Sequence, residues 1–397
     1  MTVADQTSLD GTNYQVCTRC IYDERVASIS FDEEGVCNYC QQIDDLIEEY
    51  GTGLPKGERK LNATVEQIKR EGHGKKYDCV IGVSGGTDSS YMVWLAKQWG
   101  LRPLAVHYDN TWNSAIATQN IEKVLRPLDV DLFTWVVDNR EADDIFRSFF
   151  YAGVPELEAS TDLAYAEVLQ YAAWKYKVGT ILEGHTFVNE GITPLGKNYF
   201  DGKYIKAIHQ IHGRRKMKTY PLMTFGHMMF WSAIARIRKL RPFWYLDYSK
   251  EAAQEFLQNE FGWEYYGGHH LENRMTAFTH GVYLPEKFGA DMRNNTLAAL
   301  ARQGKLTRQE AWNDYNAPRH VEEGLVAYFK KRLKLGDAEY ARIMVEKPRM
   351  WTEFPTYKKR FERLRPLFKI LADQEMVQKS FYLKYCFPIT YDRTANA

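Results

Sequence analysis

The sequence predicts an α/β protein built on a doubly wound parallel sheet, preceded by a cysteine-bearing unit and followed by a helical region. Three observations predict this fold. Apolar runs alternate with amphipathic segments between residues 79 and 185, four cysteines are paired near the N-terminus, and the pattern after about residue 250 is helical and charged. Such alternation is typical of parallel sheets with helices on both faces. We expect three units, residues 1–50, 51–250 and 251–397.

Four apolar runs are expected to form the strands of the sheet. These runs are Cys79–Ser84, Leu104–Asp109, Leu132–Val137 and Thr180–His185. Amphipathic segments beside them predict helices at Leu61–Glu71, Ser89–Trp99, Ala115–Leu125 and Ala159–Lys177. Ligands of such sheets bind beyond the carboxyl ends of the strands. The loops after residues 84, 109, 137 and 185 are therefore the candidate site.

Composition and charge are those of an ordinary globular protein. Charged residues make up 26% of the chain, hydrophobic residues 45%, and the formal net charge is +1. This balance disfavours nucleic acid as a partner, because nucleic-acid binders usually carry a clear basic excess. The N-terminal segment is polar and has no apolar signal core, and no apolar stretch is long enough to span a membrane. We expect a cytoplasmic protein.

The segment Ser84–Ser90, SGGTDSS, follows the first predicted strand and opens a helix. Its two glycines allow main-chain N–H groups to close around an anion, its hydroxyls add donors, and the helix N-terminus adds a positive dipole end. The G-K-[ST] ending of the Walker loop and the G-x-G-x-x-G Rossmann pattern are both absent. The alternative is a Gly-Ser turn capped by Asp88. The strand–loop–helix context favours a phosphate-binding loop.

Four cysteines, Cys17, Cys20, Cys37 and Cys40, form two C-x-x-C pairs separated by sixteen residues. This spacing is typical of tetrahedral Zn²⁺ sites of the zinc-ribbon kind. The alternatives to a Zn²⁺ site are two disulfides, four free thiols or an iron–sulfur cluster. A site closed by four thiolates has no open position, so we assign it a structural role.

A second distinctive block, Tyr265–Arg293, combines a Gly-Gly pair, three histidines and the Lys287–Gly289 KFG sequence. SGGTDSS after a strand resembles the signature of the PP-loop ATP pyrophosphatases, whose sheet is HUP-like. With CTRC…CNYC at the N-terminus and the second block, the chain resembles the N-acetyl sugar amidotransferase family of surface-polysaccharide biosynthesis, the PseA and WbpG type. The resemblance covers residues 14 to about 315.

The PP-loop resemblance implies ATP as cofactor and transfer of AMP to a substrate oxygen, with release of pyrophosphate. It implies that the whole loop binds pyrophosphate and that Asp88 acts near Mg²⁺. The loop residues are Ser84, Gly85, Gly86, Thr87, Asp88, Ser89 and Ser90. It also implies that Asp109 lies near the adenosine, where a residue that caps the start of the loop is the alternative.

Further residues are candidates on chemical grounds. Lys287 and Arg293 are expected to hold departing phosphate charge, as cations do at transferring phosphoryl groups; the alternative is a solvated helix end. His185, after the fourth predicted strand, is expected to contact nucleotide or act as a base, or to be a hydrogen-bonded loop histidine. His269, His270 and Glu272 are expected to bind the sugar, or to tie down the second block.

The sugar amidotransferase resemblance implies that an N-acetyl group of a nucleotide-linked or acid sugar becomes an acetamidino group. Adenylation of the amide oxygen makes a leaving group that ammonia can displace. The chain has no N-terminal cysteine nucleophile, so a separate glutaminase subunit is implied as the nitrogen source. The alternatives are a PP-loop tRNA-modifying enzyme of the thiolation type with a zinc ribbon, and a nucleotide-sensing zinc module without catalysis.

Overall fold

The computed structural model describes residues 14–191, 198–267, 272–374, 376–377 and 379–388. It confirms the predicted α/β fold with a parallel sheet, a four-cysteine cluster near the N-terminus and a helical C-terminal region. The strands are β1 Cys79–Gly82, β2 Pro103–Asp109, β3 Leu132–Val136, β4 Thr180–Leu182 and β5 Arg238–Leu240. The first four correspond to the predicted strands, and β5 is an addition that the sequence pattern did not indicate.

The five strands are all parallel and lie in the order β3-β2-β1-β4-β5. Strand order therefore reverses between β1 and β4, which leaves a crevice beyond the carboxyl ends of these two strands. β1 is buried along its whole length, which explains its unbroken apolar sequence. β5 is only three residues long and carries Arg238 and Lys239, so it lacks the apolar run by which the other strands are recognised.

One or more helices precede each strand of the first half. They are α1 Asn38–Tyr50, α2 Pro55–Gly72, α3 Thr87–Gln98, α4 Ala115–Leu125, α5 Asn139–Ala152, α6 Ala159–Lys175, α7 Phe187–Glu190, α8 Gly202–His212 and α9 Phe225–Met229. α9 continues as a π-helical turn, Phe230–Ala235. The helix α5 was not predicted from the sequence. It begins at Asp138, whose side chain accepts from Arg140 N, and ends at Gly153 with φ +64°.

The second half is helical among the residues described. Its helices are α10 Lys250–Phe261, α11 Arg274–Phe278, α12 Leu284–Phe288, α13 Arg293–Arg302, α14 Arg308–Asn316, α15 Leu325–Leu333, α16 Asp337–Val345, α17 Lys358–Arg363, α18 Arg365–Asp373 and α19 Lys379–Tyr385. A π-helical turn, Thr279–Tyr283, joins α11 to α12. The described residues also contain two 3₁₀ turns, Pro242–Trp244 and Trp351–Glu353.

The helical C-terminal region shares its core with the sheet. One hydrophobic cluster joins β2, α5 and α6 to buried residues of α11 and α15. Within it, the ring of Phe278 stacks on Phe329 with centroids 3.6 Å apart, and Phe150 packs edge-on against Phe329 at 5.2 Å. This packing fixes the second block against the sheet. The division of the chain at residues 50 and 250 stays a prediction.

The N-terminal unit packs on α13 and α14. The four cysteines share a cluster with Ala298, Ala301 and Trp312 from these two helices. Tyr22 Oη donates to Asn295 Oδ1 at 2.9 Å across the same contact. The unit is therefore joined to the region that follows the second block.

No helix among the residues described combines the length and the hydropathy that crossing a bilayer requires.

Candidate functional site

The loop after β1 is shaped by a glycine that no other residue can replace. Gly85 has φ +83°, and a Cβ placed on it would lie 2.1 Å from the carbonyl oxygen of Ala117. The carbonyl group of Gly85 itself is also held, because Trp263 Nε1 donates to Gly85 O at 3.0 Å. The main chain at the start of α3 therefore turns sharply, as the predicted anion-binding loop requires.

The serines of the loop hold its main chain. Ser89 Oγ accepts from Ser84 N at 3.3 Å and donates to Gly86 O at 3.2 Å, while Ser84 Oγ accepts from Gly86 N at 3.3 Å. Ser84 is exposed, whereas Thr87 and Ser90 are buried. Ser84 and Ser89 are therefore the more accessible hydroxyls of the loop, and pyrophosphate binding by Thr87 and Ser90 stays a prediction.

Asp88, in the first turn of α3, is held by two residues from far along the chain. Tyr248 Oη donates to Asp88 Oδ1 at 2.6 Å, and Lys250 Nζ lies 2.9 Å from Asp88 Oδ2. Burial by itself lowers the pKa of Lys250, but the neighbouring carboxylates of Asp88, Glu190 and Glu272 outweigh it and raise that pKa. Lys250 is therefore a charged ammonium beside Asp88 of the SGGTDSS loop.

Glu272 and Tyr266 lie beside Gly86 of the loop. A Cβ on Gly86 would be 3.0 Å from Tyr266 Oη and 3.6 Å from Glu272 Oε1. Burial and the Glu272 carboxylate raise the pKa of Tyr266, so its phenol stays protonated. The structure thus places the predicted substrate residue Glu272 at the loop.

The second block reaches the loop by pairing with the chain after β2. Ser114 N donates to Glu272 O at 2.8 Å, and Arg274 N donates to Trp112 O at 2.9 Å. Asn273 Nδ2 also donates to Asn113 Oδ1 at 3.0 Å. Main-chain pairing over this short stretch fixes the direction of Glu272.

Asp109 ends β2 and caps the loop that follows. Its Oδ1 accepts from Thr111 N at 2.7 Å, and Thr111 has a left-handed φ of +66°. The alternative role considered for Asp109, a cap at the start of the loop, is thus present in the structure. Contact of Asp109 with adenosine stays a prediction.

His185 follows β4 and lies between two partners. Trp244 Nε1 donates to His185 Nδ1 at 3.3 Å, and His185 Nε2 faces Glu190 Oε2 at 3.3 Å. Burial lowers the pKa of His185, so the ring is neutral at pH 7. Gly184, just before it, packs against the main chain of Asp88. His185 is therefore close to the loop, and its contact with nucleotide or role as a base stays a prediction.

Two predicted phosphate-binding cations have other contacts. Lys287 is buried and donates through Nζ to the carbonyl oxygens of Ile343 and Glu346, both at 2.6 Å, and burial lowers its pKa. Arg293 pairs with Asp291 and donates to main-chain carbonyls of residues 314–317. These bonds tie helices together, which corrects the expectation that either cation lies over the loop.

His269 and His270 lie outside the described residues, and their expected contact with the sugar stays a prediction.

The four cysteines form a closed cluster. Their side chains are fully buried, and their sulfur atoms all lie within 4.8 Å of one another. Cys17 Sγ is 3.9 Å from Cys40 Sγ, and Cys20 Sγ is 3.8 Å from Cys37 Sγ. A tetrahedron with metal–sulfur bonds of about 2.3 Å has edges of about 3.8 Å. The cluster therefore fits one small tetrahedral ion. In a 4Fe-4S cluster, by contrast, each of the four thiolates binds a different iron atom, so the sulfur atoms would lie further apart.

Cations and main-chain donors surround this cluster. Cys17 Sγ accepts from the main-chain N of Arg19, Cys20 and Cys37 at 3.2–3.4 Å. Arg302 Nε, from α13, donates to Cys40 Sγ at 3.3 Å. These donors offset the negative charge that four thiolates carry, and Arg302 links the cluster to the C-terminal helices.

The structure adds Tyr248, Lys250 and Tyr266 to the site, which sequence reasoning did not identify. One signal was available for Lys250. It occupies the first position of α10, after the N-cap Ser249. A lysine at a helix N-terminus opposes the helix dipole, so its presence there asks for a nearby anion.

Comparison with known proteins supports the resemblance of the second block, Tyr265–Arg293, to WbpG-type proteins. Residues 272–366 match the family model described as LPS biosynthesis protein WbpG-like, C-terminal domain. An uncharacterised protein of Methanocaldococcus jannaschii is 23% identical over 329 residues, which cover 80% of this chain and 99% of that protein.

Three solved structures show weaker similarity. The U34-tRNA thiolase NcsA from Methanococcus maripaludis with its 4Fe-4S cluster is 11% identical, with 66% of this chain and 81% of that chain covered and a TM-score of 0.29. A predicted subunit of tRNA methyltransferase from Methanocaldococcus jannaschii is 12% identical, with coverage of 45% and 75% and a TM-score of 0.24. NMN synthetase from Francisella tularensis is 14% identical, with coverage of 56% and 92% and a TM-score of 0.26.

The match at residues 272–366 begins at Glu272, which the structure places beside the SGGTDSS loop. The loop and the matched domain thus meet at one site. Residues 272–366 are similar to the C-terminal domain of the WbpG-like LPS biosynthesis proteins.

Proposed function

We propose that the protein is an ATP-dependent amidotransferase that converts an N-acetyl group of a nucleotide-linked or acid sugar into an acetamidino group. The observation that carries the proposal is the meeting of the SGGTDSS loop with Glu272, the first residue of the WbpG-like domain. The loop offers main-chain N–H groups and the hydroxyls of Ser84 and Ser89 to pyrophosphate. The domain brings a carboxylate to the point where the acceptor is activated.

The reaction divides into two balanced steps. The amide oxygen of the acceptor attacks the α-phosphorus of ATP, and pyrophosphate leaves. Ammonia then attacks the activated carbon, and loss of AMP and a proton leaves the acetamidino group. An unactivated amide is a poor electrophile, so AMP as leaving group supplies the driving force that the second step lacks on its own.

Lys250 is the cation best placed to meet the phosphates. Its ammonium lies 2.9 Å from Asp88 on the first turn of α3, and both side chains are partly accessible. Charge on the pyrophosphate grows as it leaves, and a positioned ammonium stabilises that growth. In this proposal, Lys250 takes the role that the sequence suggested for Lys287 and Arg293.

The carboxylates near Lys250 fit Mg²⁺, which prefers oxygen ligands and usually bridges protein carboxylates to phosphates. Asp88, Glu190 and Glu272 all act electrostatically on Lys250. These three side chains would hold the ion. When bound, Mg²⁺ neutralises phosphate charge and makes the α-phosphorus more open to attack.

His185 lies beside the loop as a neutral ring. Its Nδ1 accepts a hydrogen bond from Trp244 and burial lowers its pKa, so Nε2 carries the proton of the ring and faces Glu190 Oε2 at 3.3 Å. In this proposal His185 positions the Glu190 carboxylate, one of the three that would hold Mg²⁺.

We also propose that the four-cysteine cluster holds Zn²⁺, because its sulfur–sulfur distances match one tetrahedral ion.

The thiolation alternative is less well supported. A thiolation enzyme that carries sulfur on a cysteine needs a reactive thiol outside a closed metal site. The two cysteines outside the cluster, Cys79 and Cys386, are fully buried. Burial raises the pKa of both thiols, that of Cys386 to about 11, so neither forms a thiolate readily.

The test is to incubate the protein with ATP, ammonium and a panel of nucleotide-linked N-acetyl sugars. We expect AMP and pyrophosphate as products, together with the mass change for replacement of O by NH in the sugar. Asp88→Asn is the matched control, because it keeps the shape of the side chain and removes its charge. Release of ADP and phosphate, or thiolation of co-purified tRNA without sugar turnover, would refute the proposal.

Nitrogen supply is tested separately. We propose that a glutaminase subunit delivers ammonia, because at pH 7 free ammonia is mostly ammonium, which is not nucleophilic. The isolated chain should work with ammonium at alkaline pH and should not use glutamine labelled with ¹⁵N on its amide. Efficient incorporation of that label by the chain alone would contradict the two-protein arrangement.

A further inference from the structure

Residues 358–373, which form α17 and α18, are strongly basic. They include six Lys and Arg residues and two acidic residues, whereas the whole chain contains 52 and 51. Both acidic residues lie beside lysines, with Glu362 Oε1 3.7 Å from Lys358 Nζ and Asp373 Oδ2 2.6 Å from Lys369 Nζ. The other basic residues of this segment therefore concentrate positive charge on one part of the surface.

Part of this segment lines a groove of about 670 Å³. Lys203, from α8, lines the same groove together with Lys359 and Arg363. These three side chains are exposed, and none of them forms an ion pair with a residue that the structure describes. Among the lining residues only Glu362 is acidic, and it lies beside Lys358. A groove lined by charges of one sign focuses their field, so this groove attracts anions.

Two exposed aliphatic side chains of α18 adjoin the rim of the groove. Leu367 and Ile370 are 39% and 54% exposed, whereas Phe368 of the same helix is fully buried. Helical hydrogen bonding continues across the junction of α17 and α18, because Phe368 N donates to Leu364 O at 3.1 Å. Residues three and four positions apart are neighbours on a helix surface, so Leu367 lies beside both Ile370 and Arg363.

The combination of basic and aliphatic side chains indicates the class of partner. Phosphate groups alone, free or in nucleic acid, would contact the cations and would leave Leu367 and Ile370 in water. A bilayer of anionic phospholipid satisfies both groups, because its headgroups attract the cations and the boundary of its acyl chains accepts aliphatic side chains.

We propose that an anionic phospholipid bilayer binds peripherally to this surface, which is formed by Lys203, Lys359, Arg363, Leu367 and Ile370. The proposal does not depend on the proposed amidotransferase activity.

Sedimentation of the full chain with vesicles tests the proposal. The chain should sediment with vesicles of phosphatidylcholine and phosphatidylglycerol in equal parts, and should stay in the supernatant with phosphatidylcholine alone. Binding should weaken as the salt concentration rises, because ions screen the attraction between exposed charges. Equal binding to both kinds of vesicle, or binding to neither, would overturn the proposal.

Loss of two basic side chains measures the electrostatic part of binding. A basic residue near an anionic bilayer contributes about 1 kcal/mol, or about fivefold, so Lys359→Gln with Arg363→Gln should weaken binding to the mixed vesicles about 25-fold. Lys75→Gln with Lys331→Gln removes two exposed charges outside the groove and should bind as the native chain does. An equal loss of binding in both double variants would overturn the proposal, because only the net charge would then matter.

Loss of the aliphatic side chains measures the apolar part. Leu367→Ser with Ile370→Ser should weaken binding to the mixed vesicles about tenfold or more, since less apolar surface leaves water on binding. Val345→Ser is the control, because Val345 on α16 is 84% exposed and lies outside this surface. All the substituted side chains are exposed, so near-UV circular dichroism should stay native in every variant.

Two results would favour a site for phosphate groups alone and would overturn the bilayer proposal. One is unchanged vesicle binding by Leu367→Ser with Ile370→Ser. The other is tighter binding of the native chain to duplex DNA than to the mixed vesicles at the same salt concentration.

Discussion

The four-cysteine cluster and the SGGTDSS loop hold their charged groups in opposite ways. The cysteines are completely buried, and main-chain N–H groups and Arg302 surround their sulfur atoms. At the SGGTDSS loop, the Asp88 and Lys250 side chains remain 20% and 22% exposed and pair with each other, and Tyr248 also donates to Asp88. The first arrangement leaves no open position for a substrate, whereas the second can exchange one partner for another.

This difference indicates which kind of ligand each region is suited to bind, permanent or exchangeable. Charges enclosed by fixed donors favour a permanent ion, because releasing it would leave buried thiolates without compensation. A partly exposed ion pair is weak, and a phosphate or Mg²⁺ can replace either partner at small cost. The cluster is therefore suited to structural stability, and the loop edge to turnover.

Loss of one cysteine should have the largest effect. Cys37→Ser is expected to release the metal and unfold the N-terminal unit, because binding of structural zinc contributes about 10–16 kcal/mol to folding in small zinc modules. Metal analysis and limited proteolysis measure the result. Cys79→Ala, in β1, is the control and should keep one metal ion per chain. Metal retention by Cys37→Ser would show that the cluster is not a four-ligand site.

Removal of the Lys250 charge should have the next largest effect. Lys250→Met is expected to lower kcat/KM for ATP-dependent turnover by about a hundredfold or more, as loss of a positioned charge-stabilising donor does elsewhere. Thermal unfolding should change little, because the ion pair is partly exposed.

Lys305→Met provides the matched control for Lys250. Lys305 pairs with Glu251 at 2.6 Å on the surface beside the same helix, and its loss should alter stability by less than about 1 kcal/mol and leave kcat/KM unchanged. Similar rates for the native chain and Lys250→Met would remove Lys250 from the site.

The buried carboxylate of Glu156 provides a contrast to Asp88, because no ion pair with a lysine is seen for it among the described residues. Glu156 accepts from Tyr204 Oη at 2.9 Å, and burial raises its pKa to about 7 despite this bond. The folded state therefore binds a proton that the unfolded state releases above about pH 4.5. Stability should fall as pH rises from about 4.5 to 7, by at most about 3 kcal/mol.

Glu156→Gln should weaken this pH dependence. The variant is expected to be more stable than the native chain at pH 8, since it no longer has to bury a carboxylate, and similar to it at pH 5. Urea unfolding at both values measures the difference, and Glu66→Gln on the exposed face of α2 is the control. If the free energy of unfolding changed equally between pH 5 and pH 8 in the native chain and in Glu156→Gln, the raised pKa of Glu156 would be contradicted.

The smallest expected effect concerns the start of α10. Ser249 Oγ accepts from Ala252 N at 3.3 Å and caps the helix on which Lys250 sits. Ser249→Ala should cost about 1 kcal/mol of stability. It should also raise KM for ATP modestly, because the position of Lys250 becomes less fixed. Ser249→Asp, which keeps a cap, should restore stability; failure to do so would show that capping is not the role of Ser249.

Features formed by neighbouring residues were predictable from the sequence. The SGGTDSS loop lies within seven residues and follows one strand, so its glycines and its helix start are visible together. The four cysteines span 24 residues, and their spacing alone predicted the closed cluster that the structure contains. In both cases a short chain segment brings the groups together with little freedom to do otherwise.

Features that depend on long-range packing were not predictable. Tyr248 and Lys250 meet Asp88 across 160 and 162 residues. Lys287 sits in a motif-like sequence, yet its ammonium binds carbonyls of α16 and the residue after it. The sequence by itself determined the loop, the cluster and the parallel sheet, because periodicity and spacing are local. Only the tertiary structure decided which charge faces the loop, because that depends on how α10 and the second block pack beside β1 and β2.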